Sequence, residues 1–439
     1  MNKLGLSLWT GMGGRNLIHA GIVKKLDLQF DLKIFSSFSR VLSKESMMSR
    51  DQISSNRRRL ISKLYYIQYY ALWFLHRPAT QEKYIRRDRE QNFLRYCILL
   101  ISGRIYAKFR GDKDFDWIRD KIYFFSAPAL NCIDAIFLSS TDCPEDQLLM
   151  YVAKRRNIQT ITLVHSWDNL PSRGMLSARP DRLLVWNEAM KEQAKEFHSI
   201  PDNKISVVGV PQYEWYRSIS KNCEEDVFRK RNDIPLGKKV IVYTAASKRV
   251  FPDEEHFVEE LRKYVTSKND LVFILRLHPE ERKKNYLDKY QDDPGVLISD
   301  PDNGFRANPT DDFGSKQSVL DFISLMKFSN VIINLASTIT LDAILFDTPV
   351  ICPSFNNKIS HHSWNAAAEW YKSSHFKEIV HSGAVPIVTS FEELTREIEK
   401  ALSTPNLLAK ERKELYNRMM PEMPTSQLIC DAIEEVVGM

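Results

Sequence analysis

Residues 330–354 read NVIINLASTITLDAILFDTPVICPS, and this stretch decides the fold class. An apolar run is followed by a short turn of small and hydroxyl side chains, then by a segment of helical periodicity, and then by a second apolar run. Strand, helix and strand in this order predict a βαβ unit with two parallel strands. The same alternation continues through almost the whole chain. The sequence therefore predicts an α/β fold built around parallel sheets.

Length divides this alternation into two domains. The chain has 439 residues, which is more than one hydrophobic core normally serves. The alternation lapses at residues 210–226, VPQYEWYRSISKNCEED, where Pro211 interrupts an apolar run. We predict an N-terminal domain over residues 1–215, a C-terminal domain over 216–405, and helices at 406–439 that pack back across the hinge. Both domains are expected to be doubly wound and Rossmann-like, facing a central cleft.

Composition excludes several classes of protein. Hydrophobic residues make up 43% of the chain and charged residues 27%, as in ordered globular proteins. The six cysteines lack CxxC spacing, which argues against a zinc site or a disulfide framework. The first residues, MNKLGLSLWTGMGG, do not follow the plan of a signal peptide. A cytoplasmic location is therefore expected, with a peripheral position at the inner face of the plasma membrane as its extension.

The positive charge is concentrated in one segment. Residues 50–110 contain 14 Lys and Arg against four Asp and Glu, a net charge of +10 in a chain whose total is +6. Tyr, Trp, Phe and Leu are interleaved with these cations. We predict a basic, aromatic helical insert at about residues 45–125 that lies on an anionic membrane surface. The alternative is an ordinary amphipathic helical pair, and no nucleic-acid-binding motif accompanies the charge. The expected lipid contacts are Arg57, Arg58, Arg59, Arg86 and Arg87.

Two strands of the second domain end in residues suited to phosphate. His278 follows the apolar run LVFILRL, and Pro279 ends that strand. Ser337 and Thr338 follow NVIINLA and open the next helix, whose first N–H groups are unpaired and attract anions. The alternative is that the hydroxyls only cap the helix. Together these residues predict a phosphate-ester site at the carboxyl ends of the strands.

The order of these motifs resembles the nucleotide-binding domain of glycosyltransferases with the GT-B architecture and of UDP-N-acetylglucosamine 2-epimerases. The HP and Ser/Thr pairs also resemble bacterial sialyltransferases and polyol-phosphate transferases. The resemblance implies a nucleotide-activated donor. His278 and the Ser337–Thr338 turn would then contact its phosphates, and Asp342 would lie near its ribose. The matching elements are His278 and Pro279, Ser337 and Thr338, Asp342, and Pro349 and Val350.

The first domain is expected to hold the acceptor. WTGMGGRN, residues 9–16, places Gly11, Gly13, Gly14 and Arg15 between a strand and a helix, as a loop closely approached by a ligand would require. The GxGxxG spacing of a dinucleotide site is not met, because Asn16 stands where the last glycine belongs. No organic cofactor is therefore expected.

A polar loop in the first domain offers a general base. Transfer requires a group that accepts the proton of the acceptor hydroxyl. His165 and Asp168 in LVHSWDNLPSRG, residues 163–174, are the first candidates, and Asp142 in SSTDCPED is the third. The alternative for Asp168 is that it only shapes the turn. His278 is the catalytic candidate on the donor side.

Cations are expected to stabilise the departing nucleotide, because no DxD metal motif follows a predicted strand. No metal is therefore expected, although a solvated turn is the alternative for Lys248. The candidate donor-binding residues, two hydroxyl side chains and three cations, follow the strand KVIVY or precede His278, and they are Thr244, Ser247, Lys248, Arg249 and Arg276.

These features predict a bacterial, metal-independent, inverting glycosyltransferase. It would move a sugar from a nucleotide-sugar donor to a surface glycan or a lipid-linked glycan acceptor. A nucleotide-sugar 2-epimerase and a CDP-polyol phosphotransferase are the alternatives among enzymes. A noncatalytic, membrane-associated binding module is the alternative from another class. The basic insert favours transfer over epimerisation, since an epimerase has no separate acceptor.

Overall fold

A computed structural model describes residues 2–9, 11–36, 40–41, 44–48, 53–110, 117–123, 130, 133–246, 251, 254–278, 283–301, 316–356, 364 and 366–438. These residues fall into two compact units. Unit 1 contains the described residues up to Trp215 and those from Met419 onward. Unit 2 contains the described residues from Tyr216 to Arg418.

Each unit has its own sheet. The strands of unit 1 are β1 (Lys3–Leu8), β2 (Asp31–Ser36), β3 (Arg40–Val41), β4 (Lys44–Met48), β5 (Ala135–Leu138), β6 (Gln159–Leu163), β7 (Arg182–Val185) and β8 (Ile205–Val207). The strands of unit 2 are β9 (Lys239–Thr244), β10 (Leu271–Arg276), β11 (Leu297–Ser299), β12 (Val331–Asn334), β13 (Val350–Pro353) and β14 (Ile387–Val388).

Helices connect these strands. In chain order they are α1 (Gly11–His19), α2 (Ile22–Gln29), α3 (Ser55–His76), α4 (Ala79–Gln91), α5 (Phe93–Arg110), α6 (Trp117–Tyr123), α7 (Pro144–Arg155), α8 (Asn169–Ser172), α9 (Glu188–His198), α10 (Pro211–Ser220), α11 (Glu225–Arg231), α12 (Glu254–Thr266), α13 (Lys283–Tyr290), α14 (Lys316–Phe328), α15 (Ile339–Ile344), α16 (Ala367–Tyr371), α17 (Lys377–Val380), α18 (Phe391–Ser403), α19 (Ala409–Met419) and α20 (Thr425–Val437).

Both sheets are doubly wound. The strand order is β3-β4-β2-β1-β5-β6-β7-β8 in unit 1 and β11-β10-β9-β12-β13-β14 in unit 2. The pairs are parallel except for β3 with β4. The strands of both sheets are largely buried, as expected when helices cover both faces of a parallel sheet. The predicted pair of doubly wound α/β domains is confirmed, and the central cleft stays a prediction.

The core of unit 1 joins the two ends of the chain. Buried side chains of β1, β2, α1 and α2 pack with Ile429, Cys430 and Ile433 of α20. The backbone N and Oγ of Ser426 each donate to the Glu214 carboxylate at 2.7 Å. Of the helices predicted at 406–439 to pack back across the hinge, α19 belongs to unit 2 except for its last residue, and α20 belongs to unit 1.

The domain boundary predicted at residues 210–226 lies in a helical segment and not in an irregular one. Pro211 begins α10 instead of breaking a strand. A proline suits the first helical position because its missing N–H has no partner there in any case. The boundary between the units, Trp215 to Tyr216, lies within this helix.

The predicted glycine loop is also wrong. Residues from Gly11 onward already form α1, and Gly13 and Gly14 are buried within it. Gly21, with a φ of 74°, then separates α1 from α2. A positive φ is easy for glycine and ends the first helix.

Helices α3 to α6 form a helical insert between β4 and β5 of unit 1. Gly103 of α5 lies directly on α3, since a Cβ atom there would be 2.6 Å from Tyr70 Cβ and 2.9 Å from Ala71 N. The Tyr70 hydroxyl donates to Asp88 Oδ2 at 2.9 Å, which ties α3 to α4. Among the described residues, no helix combines the length and apolarity needed to cross a bilayer.

Candidate active site

In each sheet the strand order reverses at one point, and doubly wound domains bind ligands at the carboxyl ends of the strands there. The reversal lies between β1 and β5 in unit 1 and between β9 and β12 in unit 2. Asp142 follows β5, while Ser337 and Thr338 follow β12. Several predicted site residues therefore lie at these two edges.

Asp142, His165 and Arg173 form a charged cluster at the edge of unit 1, called here the acid–base triad. Asp142 Oδ1 lies 3.4 Å from His165 Nδ1, and Asp142 Oδ2 lies 3.1 Å from Arg173 Nε. The side chains of Asp142 and His165 are 17% and 18% exposed, so they are shielded but still reachable. The sequence named Asp142 and His165 as separate candidates, and the structure brings them together.

The turn after β5 fixes the Asp142 carboxylate. Ser140 Oγ accepts from the backbone N–H groups of Asp142 and Cys143, each at 3.2 Å. The same hydroxyl donates to Asp142 Oδ1 at 2.7 Å. Pro144 then begins α7. A serine with these bonds builds a local turn, so the carboxylate is held in place before any ligand arrives.

Asp168 has different surroundings. Its Oδ1 accepts from Ser166 Oγ at 2.6 Å, and its Oδ2 accepts from Ser172 Oγ at 3.1 Å. These bonds hold the turn that leads into α8. The geometry favours the turn-shaping interpretation of Asp168 over that of a general base.

The helical insert supports the triad. The backbone of Gly174 packs on α3, where an added Cβ would be 3.1 Å from Tyr65 O. Gln81 Nε2 of α4 donates to Arg173 O at 3.1 Å. Desolvation lowers the pKa of Arg173, but Asp142, Tyr65 and Asp168 together outweigh it, so the pKa lies above its ordinary value. Burial raises the pKa of Tyr65 to about 12, against the effect of Arg173.

Asp146 lies in the first turn of α7 and is fully buried. Burial raises its pKa well above the ordinary value, and Glu145 acts in the same direction. Ser7 and Trp9 on β1 and its following residue lower the pKa, but less strongly. The Asp146 carboxyl group therefore keeps its proton at pH values at which an ordinary aspartate has lost it.

The predicted acceptor residue Arg15 is an internal side chain. It is 4% exposed, and its Cζ lies 5.6 Å from the ring centroid of Trp215. Asn16 donates to Gln212 Oε1 at 3.0 Å. Arg15 and Asn16 thus join α1 to α10, which is an environment typical of structural residues.

At the edge of unit 2, Thr244, Arg276 and Asn334 stand level on three neighbouring strands. Asn334 is fully buried, and its Oδ1 accepts from Thr340 Oγ1 at 3.0 Å and from the backbone N–H of Ser337 at 3.3 Å. These three residues, Asn334, Ser337 and Thr340, are called here the Asn334 cluster. It fixes the turn between β12 and α15 without any charged side chain.

The backbone of that turn is strained. Ala336 has a φ of 41°, in the left-handed region that favours glycine. Ser337 Oγ accepts from the backbone N–H of Ile339 at 3.3 Å, whereas Thr338 makes no capping hydrogen bond with its side chain. Capping therefore accounts for Ser337 but not for Thr338. Asp342, expected near a ribose, lies in α15 and is 5% exposed.

Arg276 and His278 lie at the end of β10 and just beyond it. Arg276 Nη1 donates to Ser299 Oγ at 3.0 Å, and its Cζ lies 5.5 Å from the ring centroid of Phe322. Burial lowers the pKa of Arg276 to about 10, although Asp300 and Asp321 act in the opposite direction. Arg276 remains a cation, but one bound within unit 2. His278 is half-buried.

A buried acid braces the loop after β9. Glu254 is fully buried and accepts from the hydroxyls of Tyr243 and Tyr286, each at 2.8 Å, and from the backbone N–H of Ala246. This carboxylate links β9, α12 and α13. The predicted residues Ser247, Lys248, Arg249 and Pro279 lie outside the described residues.

Sequence reasoning missed Tyr65, Asp146 and Glu254. Tyr65 had no local signal, because it reaches Arg173 from a distant helix. Asp146 and Glu254 each stand in the first turn of a helix, where an acid is ordinarily explained by the helix dipole. Within the part of the chain that the structure describes, no group of three His, Cys, Asp or Glu side chains is arranged to hold a metal ion.

The comparisons with known proteins agree with this architecture. Residues 171–433 match the model of the family described as CDP-Glycerol:Poly(glycerophosphate) glycerophosphotransferase. No curated protein matches the chain.

Three similar solved structures cover nearly all of the chain and of themselves. S. aureus MnaA with UDP has a TM-score of 0.59 at 12% identity and covers 100% of this chain and 97% of its own. UDP-GlcNAc 2-epimerase from Neisseria meningitidis bound to UDP-GlcNAc has a TM-score of 0.54 at 13% identity, with coverages of 99% and 100%. A glycosyltransferase from Rickettsia africae has a TM-score of 0.51 at 13% identity, with coverages of 99% and 98%. At such identities the likeness shows the fold alone.

Proposed function

Because the chain belongs to the CDP-glycerol:poly(glycerophosphate) glycerophosphotransferase family, we propose that it transfers a polyol-phosphate unit from a CDP-activated donor to an acceptor hydroxyl. The acceptor is a growing surface polymer or its lipid-linked precursor. The family match over residues 171–433 carries this proposal, since it supports polyol-phosphate transfer, which the sequence left open as an alternative to sugar transfer. The chain is in either case a transferase.

The proposed reaction joins the acceptor to the outer phosphorus of the donor. The acceptor oxygen attacks that phosphorus, the bond to the cytidine-bearing phosphate breaks, and CMP leaves. The acceptor proton passes to His165 Nε2. The expected proton on the other nitrogen, Nδ1, faces the Asp142 carboxylate at 3.4 Å, which fixes this tautomer and stabilises the imidazolium that forms.

The hydrogen on Nδ1 is an assignment from the surrounding bonds. Asn169 Nδ2 lies 3.3 Å from His165 Nδ1, and Asn169 Oδ1 is buried with no hydrogen-bond partner among the residues that the structure describes. Turning the amide over places that oxygen beside the Nδ1–H group as its acceptor. In this arrangement the Nδ1–H group faces two acceptors, Asp142 Oδ1 and Asn169 Oδ1. Nε2 then remains to accept the proton of the acceptor hydroxyl.

The proposed donor site lies at the edge of unit 2. The Ser337–Thr338 turn and His278 bind the two phosphates, and Thr338 contributes its hydroxyl because capping does not occupy it. Asp342 is assigned to the ribose. Phosphoryl transfer depends mainly on positioning and electrostatic stabilisation, so a cradle fixed before binding suits it. The Asn334 cluster supplies that rigidity.

Inverting, metal-independent sugar transfer is the second candidate, because the acid–base triad serves it equally well. Epimerisation is the third, as the structural relatives named above include epimerases. The nucleotide product separates them. Polyol-phosphate transfer releases CMP, sugar transfer from a nucleoside-diphosphate sugar releases a nucleoside diphosphate, and epimerisation changes the sugar without any acceptor. A binding module without activity would release nothing.

The test incubates the purified protein with a polymer acceptor and either CDP-glycerol, CDP-ribitol or UDP-GlcNAc, and separates the nucleotides by anion-exchange chromatography. We expect acceptor-dependent CMP from a CDP donor, undiminished by EDTA. Acceptor-dependent UDP from UDP-GlcNAc would replace the proposal by sugar transfer. Loss of activity in EDTA and its return with magnesium would contradict metal independence.

A further inference from the structure

The outer face of α5 is apolar and uncovered. Its apolar side chains recur at intervals of four, three, four and four residues, which places them on one face of a helix. Each is more than half exposed, from 52% for Ile105 to 77% for Phe109. The stripe is therefore a continuous surface feature, and its members are Leu94, Ile98, Ile101, Ile105 and Phe109.

The opposite face holds α5 firmly against the protein. Gly103, Tyr106 and Ala107 are buried, and Gly103 lies in close contact with Tyr70 and Ala71 of α3. Because α5 packs along α3 through its opposite face, the stripe is not the core-facing side of the helix. It is a second apolar face on a helix whose core-facing side is occupied.

Positive charge borders the stripe on both sides. Helix α5 contains no Asp or Glu. Arg95 and Arg104 are held beside the stripe, since their Cζ atoms lie 5.1 Å from the ring centroid of Tyr66 and 5.4 Å from that of Phe74. Lys108 is exposed near the end of the helix. An apolar stripe between rows of cations is the pattern of a helix that lies in a bilayer interface.

We propose that the stripe of α5 docks on an anionic lipid surface. The five apolar side chains enter the boundary between headgroups and acyl chains, while Arg95, Arg104 and Lys108 contact lipid phosphates. A second copy of this chain is a poorer occupant. Two such helices face to face would bring their uncompensated cations together, and like charges oppose that pairing.

This proposal moves the lipid contact away from the arginines that the sequence indicated. Arg87 Nη2 pairs with Asp88 Oδ1 at 3.1 Å, and Arg58 Nε donates to Ile53 O at 3.2 Å. Both are thus engaged within the insert, whereas the stripe of α5 faces outward. The proposal does not depend on the donor, because its test contains none.

The test compares two variants of equal size. In the first, Leu94, Ile98, Ile101 and Ile105 are changed to Gln. In the control, four exposed apolar residues elsewhere are changed to Gln, namely Leu28, Val227, Leu236 and Leu407. Sedimentation is measured with vesicles of phosphatidylcholine alone and with about 30% phosphatidylglycerol, at low and high salt.

We expect the wild type and the control to sediment with the anionic vesicles, and the α5 variant to bind them at least roughly tenfold more weakly. Should the α5 variant fail to fold, a variant in which Arg95, Arg104 and Lys108 are changed to Gln replaces it. Its binding to anionic vesicles should no longer depend on the salt concentration. Equal binding by variant and wild type would overturn the proposal. A second result would also overturn it: light scattering shows a dimer for the wild type and a monomer for the α5 variant, and neither protein binds vesicles.

Discussion

The acid–base triad of unit 1 and the Asn334 cluster of unit 2 occupy equivalent edges of two doubly wound sheets, yet they are built differently. The triad is organised by charge, with Asp142 between His165 and Arg173. The Asn334 cluster is organised by neutral hydrogen bonds. An Asp–His pair is an arrangement commonly used for proton transfer, whereas neutral side-chain hydrogen bonds serve to hold a turn in place. Under the proposed function the two edges take different tasks, proton transfer in unit 1 and donor binding in unit 2.

The largest effect is expected at the triad. Changing Asp142 to Asn or His165 to Ala should lower kcat roughly 100- to 1,000-fold while the protein remains folded, because the acceptor loses its base or the base loses its orientation. The double variant should be hardly worse than either single one, since the two residues act as a unit. Steady-state kinetics and far-UV circular dichroism provide the measurements.

Asp168 is the matched control for that prediction. It is an aspartate of the neighbouring loop, but its carboxylate is held by two serines. Asp168→Asn should reduce kcat less than roughly tenfold. A loss equal to that of Asp142→Asn would show that the two carboxylates were assigned to the wrong roles.

A smaller and different effect is expected in unit 2. Thr338→Ala should raise KM for the CDP donor roughly fivefold, the equivalent of one ordinary hydrogen bond, with little change in kcat. Ser337→Ala serves as the comparison, because its hydroxyl already caps α15 and its loss should also lower stability. If Thr338→Ala reduced kcat as strongly as Asp142→Asn, the division of tasks between the edges would be refuted.

Asp146 gives unit 1 a dependence on pH. Its folded pKa is raised, so the folded protein holds a proton that the unfolded chain releases at the ordinary pKa. Its contribution to the free energy of unfolding is complete below that ordinary pKa and decreases as the pH rises toward the folded pKa. Asp146→Asn should therefore stabilise the protein at pH 7, with a gain that vanishes at about pH 3, below the ordinary pKa of an aspartate.

Urea denaturation of wild type and variant across that pH range is the measurement. Asp181→Asn is the opposite control, because Lys154 Nζ at 2.7 Å and Thr160 N at 3.0 Å help hold the folded pKa of Asp181 below its ordinary value in spite of burial. That variant should be destabilised at pH 7. If both variants changed the free energy of unfolding at pH 7 in the same direction, the opposite pKa shifts assigned to Asp146 and Asp181 would be contradicted.

The smallest effect concerns Ala336. Its φ of 41° is strained for alanine, so Ala336→Gly should stabilise unit 2 by about 0.5 kcal/mol, the strain relieved being partly offset by the greater freedom of the unfolded chain. Ala343→Gly in the neighbouring helix should instead cost about 1 kcal/mol. Thermal unfolding of both variants checks the difference, and destabilisation by both would mean that Ala336 is not strained.

The sequence predicted the doubly wound architecture because period-2 and period-3.6 patterns are local. It also named Asp142 and His165, because polar residues directly after buried strands meet at one edge. It failed where the deciding contact was distant. Nothing near Tyr65 indicates Arg173, and nothing near Pro211 indicates that a helix crosses the boundary between the units. The prediction of a glycine loop before α1 was wrong for a related reason, since the small size of glycine serves close packing within a helix as well as loop formation.

The position of α20 has a consequence for how the protein is made. Strands β1 and β2 leave the ribosome early, but the core they belong to is closed by Ile429, Cys430 and Ile433. Unit 2, encoded between them, can finish folding first. We expect nascent unit 1 to keep an uncovered apolar face throughout the synthesis of unit 2, and therefore to be the part of the chain that chaperones hold during translation.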